Sequence, residues 1–261
     1  MKWRIIEQKE YSPAMNMAID HSICESVADN KEPPTIRFYK WAPRAVSIGA
    51  LQNPEEINLK ACMEHKIGIV RRMTGGMAVF HDKNDFTYSV IAPIKILGGG
   101  IENAYMKVCS WIINSLEDIG IRAMLENKND IHVYGKKISG NAAKLMGSGV
   151  YLQHGTLVYD IDFDIMSKVL NISKVLAKER IASVLEHKKA SRNEVYLALK
   201  KNFTKDKEFK TRILSDYELA RSQDLAKTRY GSISLPEGSI MKNKGVCYVE
   251  RNLGGKKSIF P

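Results

Sequence analysis

The segment RRMTGGMAVFHD, residues 71–82, places two arginines directly before a Gly-Gly pair and closes on a His-Asp pair. Glycines let the backbone approach a ligand closely and adopt positive φ. An arginine side chain presents a planar fork of donors that matches phosphate or carboxylate groups. We therefore predict an anion site, built from backbone amides and guanidinium groups, around this loop.

Short apolar segments stand on both sides of the loop. Residues 67–70 (IGIV) precede the arginines, and residues 86–93 (FTYSVIAP) follow the His-Asp pair. Both have the length and composition of strands. The loop is therefore predicted to be a hairpin-like connection at the end of a sheet, which is not the strand-to-helix turn of the common phosphate-binding loops.

The composition is that of a globular protein, with 44% hydrophobic and 26% charged residues in a chain of 261. No apolar stretch is long enough to span a bilayer and the N-terminus soon becomes polar, so we expect a cytoplasmic protein without membrane contact. The net charge of +11 suits acidic partners, but no zinc finger, RNP motif or basic zipper occurs, so no nucleic-acid partner is predicted. The cysteines lack CxxC spacing, which argues against zinc sites and disulfides.

A second informative segment is NDIHVYGKKISGNA, residues 129–142. It predicts a strand, a tight turn at Gly135-Lys136 and a return strand from Lys137 to Gly140. Adjacent strand residues face opposite sides, so only one of Lys136 and Lys137 can enter a site. Lys137 near the glycine loop could neutralise a phosphate or stabilise the charge that develops when a carboxylate attacks an α-phosphate. A solvent-exposed turn is the alternative for a Gly-Lys-Lys sequence.

Histidines supply the remaining candidates. His81 and Asp82 could be a base and its orienting carboxylate, but neighbours on a strand diverge, which favours structural hydrogen bonds within the loop. His154, in LQHGTL (152–157), is either a site residue or a satisfied, half-buried histidine. Helix starts are predicted at Ser12-Pro13, and at Ser191 through a capping box.

In this order and at these intervals, RRMTGGMAVFHD, NDIHVYGKKISGNA and LQHGTL resemble the lipoate-protein ligase family, within the larger group of biotin and lipoate ligases. The resemblance covers residues 3–230, including SPAMNMAID (12–20) and TIRFY (35–39). One departure is Met77, which stands where many family members have a third glycine.

The resemblance implies an α+β fold, a mixed and mostly antiparallel sheet flanked by helices, as in biotin ligases and class II synthetases. It implies that ATP, with Mg²⁺, activates lipoate to lipoyl-adenylate, and that a lysine of an acceptor domain then takes the lipoyl group. The acceptors would be lipoyl domains of 2-oxoacid dehydrogenase complexes or the glycine cleavage H protein. Because such acceptors tend to be acidic, the basic surface fits electrostatic docking.

The resemblance also implies roles for individual residues. Lys137 would be catalytic, bridging the α-phosphate and the acyl carbonyl. Gly75 and Gly76 would let the backbone close over the adenylate. The other nucleotide-binding positions would be Arg72, Met77, Ala78, Val79 and Phe80. Supporting or lipoyl-binding positions would be His81, Asp82, Asn129, Asp130, Gly140 and His154. The metal would accompany ATP, with no protein ligands assigned.

A rival within the superfamily is the octanoyltransferase and amidotransferase branch, which resembles this chain in its N-terminal segments. That branch uses a nucleophilic cysteine, shortly before the Gly-Lys-Lys segment, to form a thioester. Here residues 124–130 read MLENKND, and Cys109 and Cys247 lie outside the matching interval. We therefore predict an ATP-dependent lipoate-protein ligase. A non-catalytic module that binds lipoate or an adenylate is the alternative from another class, and the set of Arg72, Gly75-Gly76 and Lys137 argues against it.

The predicted catalytic domain covers residues 1–230, and residues 231–261 form a short extension, either a small strand or a tail. Family ligases carry an accessory C-terminal domain or use a separate small subunit, and about 30 residues are too few for such a domain. We therefore expect a separate accessory subunit, or a chain that performs only part of the reaction alone.

Overall fold

The computed structural model describes residues 2–126, 129–234, 240–243, 247–253 and 256–258, with side chains up to residue 232. The strands are β1 (Trp3–Tyr11), β2 (Thr35–Trp41), β3 (Ala45–Ile48), β4 (Gly68–Arg71), β5 (Val79–His81), β6 (Phe86–Pro93), β7 (Met124–Glu126), β8 (Asp130–Val133), β9 (Lys136–Leu145), β10 (Val150–Leu157), β11 (Phe209–Thr211), β12 (Ser232–Ser234), β13 (Ile240–Asn243), β14 (Cys247–Leu253) and β15 (Lys256–Ser258). The helices are α1 (Pro13–Ala28), α2 (Leu59–Glu64), α3 (Ile101–Asp118), α4 (Phe163–Val169), α5 (Lys174–Arg180), α6 (Val184–His187), α7 (Arg192–Thr204) and α8 (Asp216–Thr228).

Side-chain caps explain where the main helices begin. Ser12 Oγ accepts a hydrogen bond from the backbone N–H of Met15 at 3.3 Å, and Pro13 occupies the first turn of α1. Ser191 and Glu194 form the predicted capping box of α7. Both helix starts predicted from the sequence are therefore confirmed.

The main sheet has eight strands in the order β11-β1-β2-β6-β10-β9-β8-β7 within the described residues. β1 pairs in parallel with β2 and β11, and the other pairings are antiparallel. One face packs against α3 and α7, and the other packs against α1 and α8. The prediction of a mixed, mostly antiparallel sheet flanked by helices is confirmed.

A small sheet, ordered β4-β3-β5, carries the Gly-Gly loop. β4 runs parallel to β3 and β5 runs antiparallel to it, so the loop of residues 72–78 passes over the end of β3 to join the two outer strands. The predicted hairpin-like connection was therefore wrong. The prediction failed because β3, from an earlier part of the chain, inserts between β4 and β5, the strands that flank the loop. The strand predicted at 86–93 is present as β6, but it belongs to the main sheet and not to the small one.

The β8–β9 connection also differs from the predicted turn at Gly135-Lys136. The two residues between the strands are Tyr134 and Gly135, with φ of 48° and 77°. A two-residue hairpin with positive φ at both positions matches the right-handed twist of its strands. The return strand therefore begins one residue earlier, at Lys136.

The described parts of the C-terminal segment form an antiparallel sheet, β12-β13-β14-β15. The division into a catalytic domain over 1–230 and an extension over 231–261 stays a prediction. Among the helices that the structure describes, none has the length and apolar character needed to cross a lipid bilayer.

Candidate active site

A cavity of about 260 Å³ lies between the main sheet and the small sheet. β2, β6, β9 and β10 contribute one wall, and β3, β5 and the loop of residues 72–78 contribute the opposite wall. The predicted site residues that line it are Arg72, Gly76, Met77, Ala78, Val79, His81, Asn129, Asp130, Lys137, Gly140 and His154. The fold thus brings the three informative sequence segments around one space.

Three predicted site residues do not line the cavity. Phe80 is buried in the apolar cluster between the small sheet, α2 and α4, because strand alternation sends it away from the side that Val79 and His81 occupy. Asp82 pairs with Arg44 Nε at 3.1 Å and does not line the cavity. Gly75 contributes its carbonyl oxygen to the loop, and a Cβ there would meet no atom within 4 Å.

Glycine is required where the loop crosses β3. A Cβ on Gly49, just after β3, would lie 1.9 Å from the carbonyl oxygen of Gly76. Gly76 itself has a φ of 91°, which other residues rarely adopt. Met77 lies outside that region and is 68% exposed, so the loop accommodates a side chain at this position.

Both arginines of the loop donate to backbone carbonyls. Arg72 is buried, and its guanidinium donates to the oxygens of Ser47 (2.8 Å), Gly75 (2.7 Å) and Met77 (2.8 Å). Burial lowers the pKa of Arg72 to about 10, so the group stays charged at neutral pH. Arg71 donates from one nitrogen to the carbonyls that follow β3. The guanidinium of Arg72 therefore shapes the loop directly and contributes positive charge to the cavity.

Lys137 enters the cavity and Lys136 does not, as the strand alternation predicts. The ammonium of Lys137 lies 2.8 Å from Asp130 Oδ1, and that of Lys136 lies 2.8 Å from Glu186 Oε1. Gly140 gives the lysine its room, because a Cβ there would lie 2.7 Å from Lys137 Cε and 2.9 Å from Nζ. The lysine side chain therefore folds across the strand into the cavity.

His81 is held on both ring nitrogens. Nε2 lies 2.8 Å from Ser47 Oγ and Nδ1 lies 3.2 Å from Thr156 Oγ1, and the ring stacks on Trp41 at 4.2 Å between centroids. Burial, with the nearby charge of Arg72, lowers the pKa of His81 well below its usual value. His81 is therefore neutral and lines the cavity, whereas its neighbour Asp82 pairs with Arg44.

His154 is likewise bonded at both nitrogens, with Thr74 Oγ1 at 2.7 Å from Nε2 and Asp20 Oδ2 at 3.3 Å from Nδ1. It is 6% exposed and lines the cavity, so it is a satisfied histidine that is buried and not half-buried, and its role in the site stays a prediction.

Sequence reasoning missed the closed end of the cavity. The residues there are Met17, Tyr39, Trp41, Ser47, Thr87 and Thr156. Met17, Tyr39 and Trp41 are almost fully buried, whereas the side chain of Lys137 is 35% exposed, so the space runs from a charged mouth to a buried end where large side chains lie beside three hydroxyl groups. Strand alternation is the signal that could have found them, since Tyr39 and Trp41 share one face of β2.

The described cysteine side chains lie away from the cavity. Cys109 belongs to the core on the α3 face of the main sheet, opposite to the face that carries His154 and Thr156. Burial raises the pKa of the Cys109 thiol to about 12, so it carries almost no thiolate at neutral pH. Cys24 and Cys62 are also buried, and the side chain of Cys247 lies outside the described part.

Among the described residues, no group of three His, Cys, Asp or Glu side chains is placed to hold a metal ion. Asp130 alone carries a carboxylate among the described residues that line the cavity. A Mg²⁺ ion here would therefore depend on ligands from a bound substrate.

The family model of the lipoyl protein ligase A/B catalytic domain matches residues 12–214. Among curated relatives, Octanoyltransferase LipM of Brevibacillus brevis is 32% identical over 269 aligned residues, covering 88% of this chain and 97% of the relative. The same name belongs to a relative from Bacillus subtilis that is 30% identical and is covered over 96% of its length.

Solved structures share the fold. A lipoate-protein ligase A bound with ATP is 28% identical with a TM-score of 0.78, covering 87% of this chain and 95% of the other. A bipartite lipoate protein ligase from Thermoplasma acidophilum, studied with its E2 lipoyl domain, is 27% identical with a TM-score of 0.77 and covers 87% and 93%.

The prediction of an ATP-dependent ligase is wrong, because the similar curated relatives are octanoyltransferases. The prediction rested on a cysteine missing from residues 124–130. A pocket for an acyl-adenylate and one for an acyl thioester need the same parts, namely a dry slot for the chain and a cation beside the carbonyl. The motifs therefore identify the family without separating its reactions.

The matched segment spans most of the chain and includes the Gly-Gly loop, Lys137 and His154. The observed fold is similar to that of the two solved structures, with TM-scores of 0.78 and 0.77. The chain therefore belongs to the lipoyl protein ligase A/B catalytic domain family, and it is an enzyme of the lipoate ligase and transferase group.

Proposed function

We propose that the protein is an acyltransferase of protein lipoylation, which moves an octanoyl-class chain from a thioester donor to a lysine of an acceptor protein. The name shared by its curated relatives supports this reaction. The proposed catalytic unit is the segment of residues 1–230.

The observation that carries the proposal is the change along the cavity from a charged, partly exposed mouth to a buried end. Its closed end is built from Met17, Tyr39 and Trp41, each less than 5% exposed, which suits a hydrocarbon chain. Its mouth carries the ammonium of Lys137, and the buried guanidinium of Arg72 adds positive charge farther in, beside Ser47. An acyl group bound with its chain inward would place its carbonyl at the charged mouth.

In the proposed step, the neutral amine of the acceptor lysine attacks the carbonyl carbon of the donor thioester. A C–N bond forms, the C–S bond breaks, and the sulfur leaves as a thiol that takes the amine proton. Lys137 donates a hydrogen bond to the carbonyl oxygen as negative charge develops there. The charge of Arg72, which no carboxylate offsets in the described contacts, favours the same oxyanion.

Direct transfer fits the described side chains of the cavity lining, because no cysteine is among them. The proposed reaction therefore needs no acyl-enzyme intermediate. It differs in this respect from the cysteine mechanism of the transferase branch.

The proposed partners are an acyl-carrying donor protein and an acidic lipoyl-type acceptor domain. The net charge of +11 supports attraction to such partners. The solved relative studied with its E2 lipoyl domain supports the acceptor class.

The test is incubation of the purified chain with octanoyl-carrier protein and a lipoyl acceptor domain, without ATP, followed by intact-mass measurement of the acceptor. We expect a gain of one octanoyl group. A parallel reaction contains free octanoate or lipoate with Mg-ATP in place of the thioester. Acylation in that reaction alone would overturn the proposal, as would a stable acyl adduct on the enzyme that transfers its group to the acceptor.

A further inference from the structure

A buried chain of hydrogen bonds connects α1, β10 and the Gly-Gly loop. Asp20 Oδ2 lies 3.3 Å from His154 Nδ1, and His154 Nε2 lies 2.7 Å from Thr74 Oγ1. Asp20 and Thr74 are each 1% exposed, and of the three residues only His154 lines the cavity. The aspartate and the threonine thus reach the site through the histidine.

The carboxylate end of the chain is ionised. Burial alone would raise the pKa of Asp20, but the Arg37 guanidinium, at 2.7 Å, and hydrogen bonds from His154 and Ser89 outweigh it and lower the pKa. Tyr39 also donates to this carboxylate, at 3.3 Å. An ionised carboxylate only accepts, so Nδ1 of His154 carries the proton in this pair.

The tautomer of His154 then determines the direction of the next bond. In the neutral form of the ring, the proton on Nδ1 leaves Nε2 as an acceptor, to which the hydroxyl of Thr74 donates. The backbone carbonyl of Thr74 in turn accepts from the N–H of Ala50 at 2.9 Å. The residue just before Gly75-Gly76 is therefore tied to β10 by its side chain and to the end of β3 by its backbone.

We propose that Asp20 and Thr74 are positioning residues that act through His154, which holds the Gly-Gly loop against β10 and so sets the place of the acyl carbonyl between the loop and Lys137. This inference rests on the proposed function. Thr74 does not act as a nucleophile in it, since its hydroxyl is buried and lies outside the cavity lining.

The first test compares Thr74→Val, which has the same shape without the hydroxyl, with Thr74→Ser, which keeps the hydroxyl. Leaving Nε2 of the buried histidine unpaired costs about one to two factors of ten in an equilibrium constant. We expect kcat/KM for acyl transfer to fall at least about tenfold in Thr74→Val and to recover in Thr74→Ser.

The matched control is Thr35→Val in β2. Thr35 is fully buried, its Oγ1 accepts from Arg4 Nε at 3.0 Å, and it does not line the cavity. We expect it to lower the melting temperature about as much as Thr74→Val while leaving kcat/KM unchanged. If both variants lose stability and neither loses activity, the role of Thr74 is structural and the inference fails.

The second test does not require activity. Two-bond ¹H–¹⁵N correlation of the histidine rings reports which nitrogen of His154 is protonated. We expect the Nδ1–H tautomer in the native protein, and a shift toward Nε2–H in Asp20→Asn, whose amide can donate to Nδ1. A native Nε2–H tautomer would overturn the relay. If the native chain moves no acyl group, the proposed function fails and this measurement alone decides the relay.

Discussion

At the scale of single residues, one position separates a lysine that lines the cavity from one that does not. Lys136 and Lys137 are neighbours in β9, yet one pairs with Glu186 outside and the other reaches the cavity beside Asp130. The pleat of the strand is the cause, since successive side chains point to opposite faces.

We expect Lys137→Ala to lower kcat by about 10²–10³, the usual loss when one donor to a developing oxyanion is removed. Lys136→Ala removes the same charge from the surface and should leave kcat unchanged. Steady-state assays of acyl transfer compare the two variants. Equal effects of both would mean that general charge, and not the placement of Lys137, matters.

Gly140→Ala tests the space that Lys137 occupies. The added Cβ would meet the flexible end of the lysine, Cε at 2.7 Å and Nζ at 2.9 Å, so the lysine must move while the backbone need not. We expect a change in unfolding free energy within about 1 kcal/mol, typical of a relieved contact, and a clear fall in kcat. Unchanged kcat would show that Lys137 acts from another position.

At the scale of elements, the loop of residues 72–78 is held by an arginine clamp. Arg72 uses Nε, Nη1 and Nη2 to reach the carbonyls of Gly75, Ser47 and Met77 in different directions. Arg71 instead makes its three bonds from Nη1 alone. A lysine ammonium can therefore replace Arg71, whose bonds come from one nitrogen, but not Arg72, whose bonds come from three.

Arg72→Lys should therefore destabilise the protein by about 1–3 kcal/mol, since hydrogen bonds from a charged donor contribute about that much and carbonyls are left unpaired. Arg71→Lys should cost less. Urea unfolding at neutral pH measures both. A larger loss in Arg71→Lys would contradict the clamp.

At the scale of the whole molecule, a buried ion pair joins the first strand to the last described helix. Arg4 in β1 donates to both carboxylate oxygens of Glu218 in α8, at 2.8 and 2.6 Å, and Glu32 lies 3.2 Å from the same guanidinium. Both Arg4 and Glu218 are almost fully buried. The pair anchors α8 against the sheet.

Glu218→Gln should destabilise the protein by about 2–3 kcal/mol, somewhat below the usual cost of a stranded buried charge, because Glu32 still offsets part of it. The control is Glu25→Gln, which breaks the more exposed pair with Arg221 and should cost about 0–1 kcal/mol. Thermal unfolding followed by circular dichroism compares them. Equal shifts in melting temperature would contradict the anchoring role of Glu218.

The accuracy of sequence-based prediction varied with the range of the interaction. Helix starts at Ser12 and Ser191 were predictable because a cap depends on residues three apart. The β3 insertion between β4 and β5 was not, because pairing between distant segments leaves no local pattern. The hydrogen-bond partners of Arg72 were not predictable either. Its sequence context favours an anion ligand, whereas in the fold its guanidinium donates to backbone carbonyls.

The sequence by itself determined the family, because the order and spacing of its motifs are properties that the chain carries unfolded, and through that resemblance it predicted the mixed sheet. Only the tertiary structure decided which side chains bond to each other across those segments. The Asp20–His154–Thr74 chain and the buried end at Met17 and Trp41 exist because α1, β2, β10 and the loop meet in space. Contacts of that kind depend on packing between elements, which no spacing along the sequence records.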